Sequence, residues 1–143
     1  MNEIVRVTSE RCHELAALNK QLIEDEGHAN PMDLPELAER MQTWLETEYA
    51  CYALEDEGRL VAYSLWRDDG DYYYLRQLFT RRDARRNGYA SALLDHLERE
   101  VYNDKPIRLE VLAGNGGAKV FYEKLGYALY CHTMSKPATA TQK

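Results

Sequence analysis

The chain has 143 residues, of which 45% are hydrophobic and 29% charged, a globular composition that excludes disordered, collagen-like and coiled-coil proteins. Its 18 basic and 24 acidic side chains give a net charge of -6, so we expect no nucleic acid and no membrane surface as a partner. The longest apolar run, at residues 49–54, is far shorter than the ~20 residues that span a bilayer. We predict a single domain at 1–136 and a short polar tail at 137–143.

The three cysteines, Cys12, Cys51 and Cys131, are odd in number, widely spaced and without a C-x-x-C pair. This pattern favours reduced thiols over a disulfide framework or a zinc site, so we predict no metal and a cytoplasmic location. The first residues show no cationic segment followed by an apolar one, and we therefore expect no signal peptide.

The first part of the chain predicts one strand and two helices. Residues 4–7 alternate like a short strand, and apolar side chains three or four positions apart predict a helix from Ser9 to about Asp25. Asp33 is a predicted helix N-cap, with Glu36 three residues later as in a capping box. The apolar stripe of this second helix consists of Leu34, Leu37, Met41, Trp44 and Leu45.

The remaining elements predict a mixed sheet. Strands at 49–54, 60–66 and 72–80 are separated by turns rich in Asp and Gly, which join antiparallel neighbours. After an arginine-rich loop we predict a helix to about Tyr102, a strand at 107–112, a helix at about 118–125 and a last strand at 127–134. The order β-α-α-β-β-β-α-β-α-β indicates an α/β fold class with a largely antiparallel sheet. Because the middle strands are apolar on both sides, helices are expected on both sheet faces.

The segment between the fourth predicted strand and the third predicted helix says the most about function. A strand that ends at Thr80 leads through the arginine-rich loop into a helix that begins after Gly88. The first amides of a helix have no carbonyl partner within it, and the helix dipole adds positive charge there, so such a terminus binds phosphate or pyrophosphate. The alternative is that Gly88 only eases entry into the helix while the arginines are solvated.

The same residues carry a family resemblance. Arg85-x-x-Gly88-x-Ala90 resembles the acetyl-CoA motif of the GNAT superfamily of N-acetyltransferases, Q/R-x-x-G-x-G/A. An asparagine after the fifth strand and a helix that ends in F-Y-x-x-x-G-F/Y also resemble the family. In this chain they are Asn115, Phe121, Tyr122, Gly126 and Tyr127. The two blocks and the order of the elements cover nearly the whole chain, so the resemblance implies the GNAT fold.

The resemblance also implies a role for each matching position. The backbone of the fourth strand would pair with the pantetheine arm of acetyl-CoA, and the loop and helix start would hold the pyrophosphate. Asn115 would contact the cofactor near the pantetheine, and Tyr122 would lie beside the thioester sulfur. The implied cofactor-binding residues are Leu78, Phe79, Thr80, Arg85, Arg86, Asn87, Gly88, Tyr89, Ala90, Ser91, Asn115 and Tyr122.

In such a site an amine attacks the thioester directly in a ternary complex, without a metal or a covalent enzyme intermediate. The developing oxyanion requires a backbone N–H near the bend in the fourth strand. A leaving thiolate with a pKa of about 8.5, if it behaves like cysteine, can take its proton from a phenol, and Tyr122 is the predicted donor. The alternative is that Tyr122 packs with Phe121 and Leu125, although adjacent residues cannot share one helix face.

One position departs from the family pattern. Many members carry a glutamate on the fourth strand as the base, but the matching residue here is Gln77, which cannot accept a proton in that role. Because an alkyl ammonium of pKa ~10.4 costs roughly 4–5 kcal/mol to deprotonate at pH 7, another group must help or the acceptor must be less basic. The candidates lie between the first two helices. In the fold that the resemblance implies, this segment forms one wall of the acceptor pocket. They are Glu24, Asp25, Glu26 and His28, for which a solvated helix end or loop packing is the alternative.

Arg76 is unusual because a charged residue in a central strand is costly unless it is paired or faces a cleft. It either binds an acceptor carboxylate or pairs with Glu110 or another strand acid. The tyrosines at 72–74 either line the acceptor cleft or reflect β-propensity. The predicted substrate-binding residues are Glu26, His28, Tyr73, Arg76 and Gln77.

Together these residues predict transfer of the acetyl group of acetyl-CoA to a primary amine of a small-molecule or amino-acid-like acceptor. Two alternatives stay open: acetylation of a protein N terminus or lysine, and an acetyl-CoA-binding sensor with little turnover, which Gln77 favours. Many relatives end with two strands where only one is predicted here. A second copy of the chain could supply the missing edge, so a homodimer is one expectation.

Overall fold

The computed structural model describes residues 2–27, 30–102 and 104–138. These residues divide between two compact units, one within 1–110 and one within 111–143. The first unit contains β1 (Asn2–Val7), a 3-10 turn (Ser9–Arg11), α1 (Cys12–Asp25), α2 (Leu34–Glu46), β2 (Ala50–Asp56), β3 (Arg59–Asp68), β4 (Tyr73–Thr80), α3 (Tyr89–Glu100) and β5 (Ile107–Leu109). The second unit contains α4 (Gly116–Lys124).

In the described part of the chain, five strands form one sheet in the order β1-β2-β3-β4-β5. The first four are antiparallel neighbours, whereas β5 runs parallel to β4 and is reached through α3, the crossover that a parallel pair needs. The tight turn between β2 and β3 consists of Glu57 and Gly58, which both have positive φ, 52° and 80°, as short hairpins require. The predicted fold class, with its largely antiparallel sheet, is confirmed.

Helices cover both faces of the sheet, as the apolar middle strands predict. On one face, α1 and α2 pack over an extensive buried cluster. Its fully buried members include Leu15, Leu37, Met41, Cys51 and Tyr63. On the other face, α3 contributes Leu93 to a smaller cluster, whose strand members are Leu54, Val61 and Ala62. Each such side chain contributes roughly 1.5–3 kcal/mol by leaving water, so both faces hold the strands in register.

The prediction for the end of the chain is wrong. Residues 127–134 were expected to form a last strand, but the described residues from 127 to 138 contain neither strand nor helix. Their apolar side chains are largely exposed, 65% at Leu129 and 92% at Met134. A strand requires a partner strand for its backbone groups, and an alternating sequence pattern does not by itself provide one. For the same reason β5 ends at Leu109 rather than at residue 112.

The start of α2 follows the capping-box prediction. The Asp33 carboxylate accepts a hydrogen bond from the Glu36 N–H at 3.0 Å, and the Glu36 carboxylate accepts one from the Asp33 N–H at 2.9 Å. Pro35 lies in the first turn, where its missing N–H has no helical partner to lose. The cap thereby defines where α2 begins and which of its side chains face the sheet.

We predict that Asp33→Ala lowers the free energy of unfolding by about 1 kcal/mol, because the N-cap acceptor is lost. Urea denaturation followed by far-ultraviolet circular dichroism measures this change. Glu36→Gln, which keeps an acceptor at the same position, is the matched variant and is expected to lose less. Equal midpoints for Asp33→Ala and the unaltered protein would contradict the assigned cap.

Candidate functional site

The fourth strand bends in its middle. In the ladder with β3, Gln77 lies opposite Leu65 and Leu75 lies opposite Trp66, so Arg76 is the extra residue of a β-bulge. β5 pairs with β4 only at residues 73–75. Beyond the bulge, β4 has no neighbour on its β5 side among the strands that the structure describes. The sheet therefore has an open edge that begins at Arg76.

The open edge presents backbone hydrogen-bonding groups. The Arg81 N–H donates to the Val61 carbonyl of β3 at 2.8 Å. Because successive residues of a strand direct their N–H and C=O groups to alternate edges, those of Leu78 and Thr80 face away from β3. The Thr80 carbonyl also accepts a hydrogen bond from Arg85 Nε at 3.3 Å. An extended ligand that carries amides can pair with this edge as an additional strand does.

Phe79 lies between these two residues but faces differently. Its backbone lies opposite Tyr63 of β3, and its side chain is only 6% exposed. The Arg85 guanidinium lies 5.2 Å from the centre of its ring. Phe79, predicted with the cofactor-binding residues, therefore supports Arg85 from within the core.

Between β4 and α3 the chain makes a turn with two left-handed residues, Arg86 (φ 67°) and Gly88 (φ 74°), on either side of Asn87. The Asn87 side-chain amide donates to the carbonyls of Ala84, at 2.9 Å, and Arg85, at 3.3 Å. Asn87 thus stabilises the turn through its side chain. Gly88 is left-handed and Tyr89 begins the right-handed helix α3. A left-handed residue next to a right-handed one directs successive N–H groups to one side, which is the geometry of an anion-binding nest.

The turn continues directly into the start of α3. The first helical hydrogen bond runs from the Ala92 N–H to the Gly88 carbonyl at 3.0 Å. The amides of Tyr89, Ala90 and Ser91 come before it and have no carbonyl partner within the helix. The first turn of α3 contains no acidic residue, so nothing in it opposes the partial positive charge of the helix end. The nest and the helix start together form a site suited to a phosphate or pyrophosphate.

Two of the predicted acids bind the arginines of this turn. Arg82 Nη2 lies 2.9 Å from Glu24 and 3.0 Å from Asp25, and Arg85 also pairs with Asp25. The hydrogen bond from Arg85 is the main reason that the pKa of Asp25 lies below its usual range. A carboxylate with a lowered pKa is a weak proton acceptor. The end of α1 thus anchors the turn through Glu24 and Asp25.

Gln77 is held by a buried tyrosine. Tyr63 Oη donates to Gln77 Oε1 at 2.8 Å, so the amide oxygen is already in use. Burial raises the pKa of Tyr63 far above its usual range, and the negative charge of Glu26 adds to this rise. Glu26 therefore lies within electrostatic range of the Tyr63–Gln77 pair. His28, the fourth predicted candidate for the base, lies outside the described residues.

Arg76 and Glu110, one of its predicted partners, bind different groups in the structure. The Glu110 carboxylate accepts a hydrogen bond from Tyr74 Oη at 2.7 Å, and burial together with this contact raises the pKa of Tyr74 to about 12. Arg76 instead donates to Tyr49 Oη at 3.2 Å and lies 4.8 Å from the centre of the Trp44 ring. The alternative of an Arg76–Glu110 pair is wrong.

Tyr73, predicted to bind the acceptor, is part of a different aromatic cluster. Its ring stacks on Tyr102 at 4.6 Å and meets the edge of Trp66 at 5.8 Å. Its hydroxyl donates to Asp104 at 3.0 Å, which raises the pKa of Tyr73. With 9% of its surface exposed, Tyr73 is placed as a packing residue.

Two predicted residues lie in the second compact unit. Asn115 caps α4, where its side-chain oxygen accepts a hydrogen bond from the Ala118 N–H at 3.1 Å. The ring of Tyr122 meets those of Phe121 and Tyr127 edge to face, at 5.1 and 5.5 Å. Phe121 and Tyr122 thus contact each other through their rings, although as adjacent residues they start from different faces of α4.

The match to known families follows the same elements. A model of the acetyltransferase (GNAT) family matches residues 15–127, which include the bulge, the turn and the start of α3. The chain belongs to the GNAT acetyltransferase family. A sequence comparison with curated proteins found no match.

Solved structures of low sequence identity share the GNAT fold. A possible acetyltransferase from Clostridium difficile 630 is 19% identical, with a TM-score of 0.81 over 97% of this chain and 98% of that one. Aminoglycoside N-acetyltransferase AAC(6')-Iy in complex with CoA is 12% identical, with a TM-score of 0.77 over 97% and 95%. A predicted acetyltransferase from Clostridium acetobutylicum with acetyl-CoA is 19% identical, with a TM-score of 0.77 over 96% of each chain.

Two further properties concern the described part of this GNAT chain. None of its described helices is long and apolar enough to cross a membrane. Within the same residues, no three His, Cys, Asp or Glu side chains are grouped so as to hold a metal ion.

Arg40 is a residue near Arg76 that is absent from the predicted site. The sequence pattern places Trp44 in the apolar stripe of α2, and Arg40 lies four positions before it. In the structure, Arg40 lies 4.4 Å from the centre of the Trp44 ring, on the same side of α2. The signal was the i, i+4 spacing, which places two side chains side by side on a helix.

We predict that acetyl-CoA raises the Tm of this protein by several degrees, because a ligand that binds only the folded state stabilises it. Gly88→Val is expected to abolish that shift. A Cβ at Gly88 meets no atom within 4 Å, so the valine side chain would stand in open space at the start of α3, where the diphosphate is expected. Differential scanning fluorimetry with and without acetyl-CoA measures both effects.

Gly70→Val is the matched control. Gly70 is also left-handed (φ 90°) and its Cβ also meets nothing within 4 Å, so both variants carry a similar backbone strain. Gly70 lies in the loop between β3 and β4, away from the turn. An undiminished shift in Gly88→Val, or an equal loss in both variants, would contradict the assignment of the turn.

Proposed function

We propose that this GNAT protein is an N-acetyltransferase that transfers the acetyl group of acetyl-CoA to a primary amine of a small-molecule or amino-acid-like acceptor. The observation that carries the proposal is the continuous segment from Arg76 to Ser91. It combines an open strand edge, a left-handed turn and unpaired helix amides. The edge suits the amide-containing pantetheine arm and the turn suits the pyrophosphate of one molecule.

Within the turn, the arginines are proposed to have different roles. Arg82 and Arg85 are ion-paired with Glu24 and Asp25, so part of their charge is already neutralised. Arg86 forms no ion pair with any described residue, and its side chain is exposed. We assign to Arg86 the long-range attraction of the diphosphate, and to Arg85 the positioning of the turn beside Thr80.

The bulge is the proposed location of acyl transfer. The amine lone pair attacks the thioester carbon, the C–S bond breaks, and the electrons leave with the CoA sulfur. A backbone N–H at the bulge is the proposed donor to the oxyanion, because a bulge re-aims strand groups that a regular ladder would bind. The remaining tasks are removal of a proton from the amine and delivery of one to the thiolate.

Glu26 is the proposed proton acceptor, directly or through a water molecule. Glu24 and Asp25 anchor the arginine-rich turn. The charge of Glu26 acts on Tyr63, which donates a hydrogen bond to Gln77 beside the bulge. His28 stays a predicted candidate. Tyr122 is the proposed donor to the thiolate, on the basis of the family resemblance of its sequence block.

The experiment that tests the proposal combines acetyl-CoA with a panel of primary amines and follows the release of free thiol. We expect release that depends on the acceptor and is saturable in both substrates. Tyr122→Phe is expected to lower kcat by about 10- to 100-fold with little change in the Kd for acetyl-CoA. Tyr127→Phe, which removes a hydroxyl from the same aromatic cluster, is the control. Binding of acetyl-CoA without release by any amine would refute the transferase and support a sensor.

We predict that Glu26→Gln lowers kcat/KM for the acceptor by roughly 100-fold at pH 7, because the proton acceptor is lost. The loss should shrink as the pH rises, since the amine loses its proton to solvent as the pH approaches its own pKa of about 8 to 10. The pH profiles of kcat/KM for both proteins check this. Glu24→Gln is the comparison: a similar pH-dependent loss in Glu24→Gln, and none in Glu26→Gln, would move the role to Glu24.

A further inference from the structure

Two arginines lie against one tryptophan on the face of the sheet that α1 and α2 cover. The Arg76 guanidinium, from the bulge of β4, is 4.8 Å from the centre of the Trp44 ring. The Arg40 guanidinium, from α2, is 4.4 Å from the same point. The sequence separates these residues widely, and only the packing of α2 on the sheet brings the two cations together.

Neither of these two cations has a carboxylate partner among the described residues. Arg40 Nη2 donates to the buried Asn19 Oδ1 at 3.0 Å, and Arg76 Nη1 donates to Tyr49 Oη at 3.2 Å; both acceptors are neutral. Arg40 Nε is buried and finds no hydrogen-bond acceptor in the described part of the chain. Burial, and after it the charge of Arg76, lowers the pKa of Arg40.

A neighbouring arginine shows that this arrangement is not general in the protein. Arg67 donates to the same Tyr49 hydroxyl at 2.8 Å. It is compensated by Asp69, at 2.7 Å, and more distantly by Glu48, at 3.8 Å. Arg40 is half-buried, and a half-buried cation is costly when no opposite charge is near. Arg76 is exposed, so its guanidinium can be reached from solvent. The pair formed by Arg40 and Arg76 is therefore suited to an anion that comes from outside the chain.

We propose that Arg76 and Arg40 bind a carboxylate of the acceptor, so that the acceptor amines of this enzyme are amino acids. This inference rests on the proposed function. Guanidinium groups bind carboxylates through paired, charge-assisted hydrogen bonds, and the Trp44 ring restricts where both groups lie. Because Arg76 is the bulge residue and precedes Gln77, a carboxylate bound there places an amine a few bonds away at the proposed location of acyl transfer.

The same two charges act on the amine. A cation nearby disfavours a second cation, so the arginine pair lowers the pKa of an acceptor ammonium and eases its deprotonation. This compensates in part for the glutamine at position 77. The pair is also expected to repel polycationic amines, the class to which aminoglycosides belong.

The test uses the full chain at saturating acetyl-CoA and follows thiol release with each amino acid and with its own carboxamide, which lacks the carboxylate. Aminoglycosides represent the polycationic class. We expect at least a tenfold lower KM for the preferred amino acid than for its carboxamide. Arg76→Gln is expected to raise the KM of the acid by roughly 10- to 100-fold while the KM values of the carboxamide and of acetyl-CoA stay within about twofold.

Arg40→Gln and Arg76→Lys provide independent variants, and Tm values show that each is folded. Arg99→Gln is the matched control, because Arg99 is exposed on α3 and pairs with Asp95. If the arginines only stack on Trp44, their substitution lowers Tm and affects acid and carboxamide alike, which overturns the proposal. Equal KM values for acid and carboxamide in the unaltered protein, or a preference for aminoglycosides or peptides, overturn it as well.

Product binding separates this inference from the proposed function. N-acetylated amino acids and their carboxamides are titrated calorimetrically into the CoA-saturated protein. A preference for the acids that Arg76→Gln removes supports the carboxylate site even if no amine is acetylated, in which case only the proposed transfer fails. If amines are acetylated without any preference for a carboxylate, the proposed transfer holds and the carboxylate site is refuted.

Discussion

A single extra residue in β4 organises the candidate site. Before Arg76 the strand is paired on both sides; after it, the ladder with β5 ends while the ladder with β3 continues. Backbone groups that a sheet normally satisfies internally thereby face away from β3 at Leu78 and Thr80, where the Thr80 carbonyl accepts from Arg85 and the remaining groups can pair with a ligand. Such groups are tolerated because both residues are only half-buried and water can reach them. The same bend directs the chain into the turn and the bare helix end that suit a diphosphate.

Electrostatics in this protein are local rather than global. A chain with net charge -6 repels anions at a distance, yet it carries two cationic regions within its first compact unit. One is the turn between β4 and α3, whose arginines are partly neutralised by Glu24 and Asp25. The other is the pair formed by Arg40 and Arg76, for which the described residues provide no carboxylate partner. The division of charges suggests that the first region is held in position by the protein and that the second is left available for a substrate.

Whether a prediction from the sequence was correct depended on how far apart the interacting residues lie along the chain. The α2 cap was predictable because Asp33 and Glu36 are three residues apart and need no other part of the chain. The β2–β3 turn was predictable because Gly58 favours the left-handed conformation locally. The strand at 127–134 was wrong because its pattern required a partner strand that local sequence does not specify. The prediction of an Arg76–Glu110 pair was wrong for a similar reason. The Glu110 carboxylate is bound by Tyr74, a neighbour of Arg76 on β4, and local sequence does not specify which of the two it meets.

The sequence by itself determined the order of elements as far as α4, the class of sheet and the position of the turn before α3, since periodicity, glycine conformation and a short motif act over a few neighbouring residues. Only the tertiary structure decided which acids bind the arginine-rich turn, which tyrosine holds Gln77, and that Arg40 and Arg76 meet at Trp44. These contacts join α1 or α2 to β3, β4 or the turn. Their existence depends on how helices pack on the sheet and on a one-residue shift in register, neither of which any short stretch of sequence contains.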